Sequence, residues 1–260
     1  MPRLSIIIPA KNEEEHLPKL LASIRGQSFR NYEIIVADAH STDRTRKIAK
    51  AAQARVVAGG LPGPGRNKGA LRAKGELLLF LDADIVLPSQ TYLEDVLKEF
   101  EARQADVATC RIKPISRKII DHAFHGAYNA YVQLTERFRP HAPGMCILVR
   151  RHTHERLKGF DEEVVFAEDM EYVQRAHRRG HRFRVLKSHP ILATVRRFEK
   201  EGRLGIALKY VYGELRMIFR GPFRKKIPFR YEMGGREGAG AGVRGREGGI
   251  NLCYLPAPAP

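Results

Sequence analysis

ELLLFLDAD, residues 76–84, sets five consecutive apolar residues, Leu77 to Leu81, ahead of two carboxylates that stand one residue apart, Asp82 and Asp84. A strand with one wet face alternates apolar and polar residues. An unbroken apolar run bounded by charge is the pattern of a strand buried on both faces, as in a parallel sheet covered by helices. Three earlier stretches read the same way: LSIII (4–8), YEIIVA (32–37) and ARVVA (54–58). Helical signals separate them. Asn12 and three glutamates suit the positive end of a helix, and His16, Leu17, Leu20, Leu21 and Ile24 form its apolar stripe. Pro18 fits only in a first turn, which starts this helix near Glu15. Ser41, Thr42 and Asp43 offer caps for a helix through about Ala52, and Ser89 opens one whose inner face is Leu93, Val96, Leu97 and Phe100. Strand and helix alternating at this spacing predict an α/β protein with a mostly parallel central sheet and right-handed crossovers.

The second half is less regular. ADVATCRIKPI (105–115), GMCILVRR (144–151) and FRVLK (183–187) read as further strands, with a helix around 117–136. AEDMEYVQRAHRRG (167–180) has acids in its first turn, basic residues in its last and Gly180 as a stop, which predicts a helix. The expected organisation is a Rossmann-like domain over 1–190, a basic amphipathic helical extension over 191–232 and a disordered Gly-, Arg- and Pro-rich tail over 233–260.

With 46 Lys and Arg against 29 Asp and Glu, the chain carries a formal charge of +17, so its partners should bear phosphate. Cys110, Cys146 and Cys253 are too few and too far apart for a disulfide framework or a zinc cluster, and a reducing, cytoplasmic compartment is expected. No apolar stretch is long enough for a membrane span.

Ligands of such a sheet sit beyond the C-terminal strand ends, which singles out Pro9 to Glu13, Asp38 to Asp43, and Asp82 to Asp84. Alternate residues of an extended segment point the same way, so Asp82 and Asp84 can converge. Left alone, two such carboxylates repel; a hard divalent cation, Mn2+ or Mg2+, removes the conflict and takes oxygen ligands. Capping the turn after a strand is the plainer role for such a pair, but three strand ends carrying polar groups together favour a ligand. GGLPGPGRNKGA (59–70) reads as a Gly-rich loop leading into a helix. It lacks the Lys and Ser/Thr of a phosphate loop, having Arg66 and Asn67 there, and what remains is a basic loop whose Arg66 can approach a diphosphate.

IIIPAKNEEEHLPKLLASI, EIIVADAHSTDRT, GRNKGALRAKGELLLFLDAD, LKGFDE (157–162) and AEDMEY together resemble the family 2 glycosyltransferases, which have the GT-A fold. The resemblance spans about 4 to 190. It implies nucleotide-sugar contacts from Pro9, Ala10, Asn12, Glu13 and Asp38, with Arg66 beside the diphosphate. It implies ribose binding by Asp82 and metal binding by Asp84, and a catalytic base at Asp169 with Glu168 beside it. Gly144 and the GlyPheAsp of 159–161 would lie near the acceptor. His189, after a late strand, is a candidate to complete the metal sphere, although a lone histidine is more often structural. Processive members carry Q-x-x-R-W, which Gln174, Arg175 and Ala176 do not supply, so transfer of a single sugar is expected.

The expected function is therefore a metal-dependent, inverting glycosyltransferase that moves one sugar from a nucleoside-diphosphate donor to an acceptor hydroxyl. The extension suggests contact with an anionic membrane and a lipid-linked acceptor; a helix packed on the core with a solvated basic face is the competing reading. Two other functions would demand different residues. A sugar nucleotidyltransferase would need a Gly-rich signature directly after the first strand, where this chain has ProAlaLysAsnGlu. A basic nucleic-acid-binding protein would need aromatic residues interleaved with its basic ones, and no nucleic-acid partner is expected.

Overall fold

The computed structural model of the protein describes residues 1–224; the expected tail over 233–260 and the end of the 191–232 extension lie outside the described residues. The chain runs β1 (Leu4–Ala10), α1 (Leu17–Arg25), β2 (Tyr32–Asp38), α2 (Thr45–Ala51), β3 (Arg55–Ala58), α3 (Pro62–Ala70), β4 (Leu77–Leu81), β5 (Ile85–Val86) and α4 (Tyr92–Ala102). It continues through β6 (Val107–Ile115), α5 (Ile119–Thr135), β7 (Cys146–Arg150), α6 (Arg151–Arg156), β8 (Val164–Phe166) and α7 (Glu168–Arg178). β9 (Phe183–Thr194), α8 (Arg196–Glu201), α9 (Arg203–Arg220) and β10 (Phe223–Arg224) follow.

Eight strands form one sheet in the order β3-β2-β1-β4-β7-β6-β9-β5. The first four are parallel. β7 runs antiparallel to β4 and β6, β6 is parallel to β9, and β5 closes the edge antiparallel to β9. A small second sheet pairs β10 with β8 and so ties the end of the described chain back to the body.

The apolar runs behave as their composition demands. Along β4, Leu77, Leu79 and Leu81 enter one core with the inner faces of α1 and α4, while Leu78 and Phe80 enter the opposite core with Phe160, Tyr172 and Val173. β1 divides in the same way, Ile6 and Ile8 to one side and Ile7 to the other. Fully burying each such side chain is worth roughly 1.5–3 kcal/mol, so the strand ends that carry the candidate acids are firmly placed.

The GGLPGPGRNKGA stretch differs from its reading: from Pro62 it is helix α3 rather than a loop. Prolines at the start pre-set the helical φ and lose no needed N–H. Gly69 then lets the helix lie against β1, where an added Cβ would overlap the Ile7 side chain. β9 also outruns its expected end at 187, reaching Thr194 with a register shift against β6 between Cys110 and Ile112. Cys110 and Cys146 are buried and free.

Candidate active site

The C-terminal ends of β1 and β2 are laced together before any ligand is considered. Pro9 and Ala10 end β1 opposite Ala37 and Asp38. Asn12, in the left-handed region at φ 53°, accepts the Thr42 N–H at 2.9 Å through its side chain, and its own N–H donates to Ser41 Oγ at 2.9 Å. The Asn12 side chain is thus spent on joining two loops. Asp43 accepts the N–H groups of Glu14 and of Thr45, the first residue of α2, while Ser41 and Thr42 bond back to Asp38 and Asn12, so the SerThrAsp segment braces the two loops and only Asp43 meets the helix start. Asp38 is buried; its Oδ2 accepts the Ser41 N–H at 3.1 Å, while Oδ1 has no partner among the described residues. A buried carboxylate oxygen left unsatisfied in this way is a place where a ligand donor fits.

Arg66 organises the opposite side. As part of α3 its side chain is 2% exposed, and its guanidinium donates to Asp82 Oδ1 at 3.0 Å, Glu168 Oε1 at 2.7 Å and the Gly144 carbonyl at 3.0 Å. This corrects the expectation of a loop arginine reaching a diphosphate: Arg66 is instead the brace between the D-x-D and E-D segments. A buried charge of this kind is tolerable only when paired, and the pairs hold it firmly charged. Gly144 is needed for the approach, because a Cβ there would lie 2.8 Å from Arg66 Nη2 and 2.9 Å from Asp169 Oδ2. Ala167, left-handed at φ 57°, turns the chain from β8 into α7 so that Glu168 and Asp169 enter side by side. Burial, with the neighbouring Glu168 charge, pushes the Asp169 carboxyl up to about 7 against the opposing pull of Arg66. That places its proton affinity where a general base is useful.

A second arginine position was invisible in the sequence. Arg196, at the start of α8, grips Glu13 through both terminal nitrogens at 2.9 and 2.7 Å and reaches Asp84 Oδ2 through Nε at 2.9 Å. Thr194 Oγ1 donates to the same Asp84 oxygen at 3.0 Å. Burial raises the Glu13 carboxyl to about 7, with Arg196 drawing it down. Glu13 and Asp84 therefore already share one positive charge. Their hard oxygen donors suit Mg2+ or Mn2+. Among the described residues no three His, Cys, Asp or Glu side chains form a ready cage.

His189 stands apart from these groups and is corrected as a metal candidate. Its Nε2 is bonded to Asp95 of α4 at 2.8 Å beside the Tyr92 ring, five residues along β9 from the Thr194 that meets Asp84. Position after a late strand was its whole signal, and β9 runs on past it. Arg196 and Thr194 had no motif to mark them.

A sheet whose parallel half ends in acids, extended by antiparallel strands and flanked by helices, is the arrangement of the GT-A class of α/β proteins. The glycosyl transferase family 2 model matches residues 5–158, and the chain belongs to that family. It is 35% identical over 144 residues to the 4,4'-diaponeurosporenoate glycosyltransferase of Staphylococcus haemolyticus, covering 52% of this chain and 36% of that protein. Solved structures share the fold: Staphylococcus aureus TarS 1–349 in complex with UDP-GlcNAc at TM-score 0.60 and 23% identity, covering 75% of this chain and 58% of that one. The mannosyltransferase PcManGT of Pyrobaculum calidifontis, in complex with GDP-Man and Mn2+, gives TM-score 0.61 at 19% identity, covering 81% and 64%.

Proposed function

We propose that the protein is a nucleotide-sugar glycosyltransferase that transfers one sugar, with inversion, from a nucleoside-diphosphate donor to an acceptor hydroxyl. The observation that carries this reading is the Arg66 brace, which holds Asp82 and Glu168 to one guanidinium and so sets the donor-side carboxylates and Asp169 around a common centre. Family membership and the nucleotide-sugar complexes of the solved neighbours support it.

In this reading Asp38 takes a hydrogen bond from the nucleoside through its unpartnered Oδ1, and Asp82 faces the ribose. Asp84 and Glu13 would hold a divalent ion, Mn2+ being the ion named in the PcManGT complex. Bound there, the ion supplies Lewis-acid stabilisation to the departing diphosphate. Asp169, poised near neutrality, accepts the acceptor's hydroxyl proton as that oxygen bonds to the anomeric carbon. The bond from that carbon to the diphosphate oxygen breaks on the opposite face, and the configuration inverts.

The narrower reading of the acceptor is a lipid-linked hydroxyl, supported by the basic, apolar segment that begins at Arg196. One of the curated relatives, named GalNAc(5)-diNAcBac-PP-undecaprenol beta-1,3-glucosyltransferase, carries a lipid-linked acceptor in its name. The activity is tested by thermal shift with UDP, GDP, dTDP and CDP, each with and without Mn2+. Stabilisation by one nucleotide that requires the ion and is lost in Asp84→Ala is the expected result. No stabilisation by any of them overturns the reading.

A further inference from the structure

The outer faces of α5 and α9 leave large apolar side chains in solvent. On α5, Ile119, Ile120, Leu134 and Phe138 just beyond its end are 86%, 58%, 76% and 69% exposed, and the exposed positions between Ile120 and Leu134 are His122, Ala123, Gly126, Ala127, Ala130 and Tyr131. On α9, Leu204, Leu208, Val211, Leu215 and Ile218 recur every three or four residues, which sets them on one face, with Phe219 beside them. A surface helix ordinarily turns such a stripe inward. Here the inward face of α9 is a different set, Ile206, Gly213 and Met217.

The two helices lie parallel and in step. Arg203 holds Asp121 through two nitrogens near their starts, at 2.6 and 3.0 Å, and Tyr131 donates to Glu214 at 3.0 Å further along. The offset between partners is 82 residues at the first contact and 83 at the second, so the two apolar stripes run side by side. Every acid on the pair is turned to a cation: Asp121 to Arg203, Glu136 to Arg103, and Glu214 to Arg139 and His141. Arg117 and Lys118 at one end of α5, Arg137 at the other and Arg220 at the end of α9 are exposed and carry no ion pair among the described residues.

We propose that the joined faces of α5 and α9 seat the protein on an anionic lipid bilayer, with the apolar stripes at the acyl boundary and the four free cations against lipid phosphates. Charge chooses the occupant: a second copy would set these like charges against one another, whereas an anionic surface complements both features. No helix among the described residues is long and apolar enough to cross a membrane, so the contact is interfacial.

The inference deepens the proposed transferase activity and rests on it for one consequence. Gly213 of α9 lies against the Phe166 ring, and Phe166 ends β8 immediately before the turn that leads into Glu168 and Asp169. The lipid face therefore adjoins the base, and the substrate class it fits is a hydroxyl carried on a membrane lipid.

The test is co-sedimentation of the 260-residue chain with phosphatidylcholine vesicles with and without a third of phosphatidylglycerol. Binding to the anionic vesicles, weak binding to the neutral ones and weakening by salt are expected. Leu134→Glu, Leu208→Glu and Leu215→Glu replace exposed residues, and each should lower vesicle affinity by about tenfold while leaving the nucleotide-dependent thermal shift unchanged. Absence of vesicle binding overturns the proposal. So does binding that the three substitutions leave intact, which would locate it elsewhere, or a dimer that they dissociate. Vesicle binding that persists while no nucleotide stabilises the protein leaves this surface standing and sinks the transferase reading instead.

Discussion

The first four strands and helix α8 both bring charge to Asp84, yet they are held in place by different forces. β1, β2 and β4 are packed on both faces by residues with almost no exposure, among them Ile6, Ile8, Val36, Leu79 and Phe80. α8 and α9 rest on a small apolar patch of Val195, Phe198 and Ile206 with Phe124, on the contact of Gly213 with Phe166, and on ion pairs: Arg196 with Glu13 and Asp84, Arg203 with Asp121, Glu214 with His141. Packing places atoms to a fraction of an ångström and gives way only at large cost. The Glu13 and Asp121 carboxylates are buried, but their arginines are about a third exposed, so the guanidinium end of each pair is open to solvent and to competing charges. The strand-end side is thus a rigid platform, and the C-terminal side is a cover whose contacts, in the proposed function, an incoming cation, diphosphate or lipid would replace.

The most severe way to break this contrast is to remove the base alone. Asp169→Asn should lower transfer by about 10³-fold while leaving nucleotide-dependent stabilisation intact, since the donor platform does not rest on Asp169; loss of both would show that the two sides are one unit. Arg66→Ala should cost about 3–5 kcal/mol in urea unfolding, because it strands Asp82 and Glu168 beside a cavity. A matched pair of leucines sharpens the comparison directly. Leu79→Ala in β4 should cost about 2–5 kcal/mol, and Leu208→Ala on α9 less than about 0.5 kcal/mol, by the same denaturation.

Smaller effects follow from charge. Asp169 with its carboxyl raised to about 7 is protonated below that pH and cannot accept the hydroxyl proton. The kcat/KM profile should therefore rise about tenfold per pH unit up to neutrality and level off above it; a profile flat down to pH 5 would exclude Asp169 as the base. The least is expected from Arg196→Ala. Removing that guanidinium frees Glu13 and Asp84 for an ion, so Mn2+ should bind the nucleotide-free protein about fivefold more tightly by calorimetry. Weaker Mn2+ binding would show that Arg196 assists the cation instead of standing in its place.

How far the sequence could be read follows the same division. The strands were legible because a segment buried on both faces must be apolar throughout, and the acids at their ends because a charged residue interrupts the apolar run there. The brace was not. Arg66 lies among prolines and glycines whose local preference is for a loop, and only the close approach of α3 to β1 at Gly69 makes that stretch a helix and buries the guanidinium. His189 read as a strand-end ligand because the register shift that carries β9 past it has no local signature. The stripe on α9 was visible as amphipathic, but α5 read as an ordinary helix, and that both apolar faces look outward depends on which sides the sheet and the ion pairs claim.

The order of residues alone determined the parallel α/β frame, the strand ends that carry acids and the family to which they belong, since each depends on burial patterns that repeat over a few neighbouring positions. Tertiary structure alone decided which arginine braces the two acidic segments, which one shares the charge of Glu13 and Asp84, and which apolar faces stay in solvent. Those outcomes join residues as far as 183 positions apart, such as Arg196 and Glu13, and are set by packing and charge pairing that no local pattern encodes.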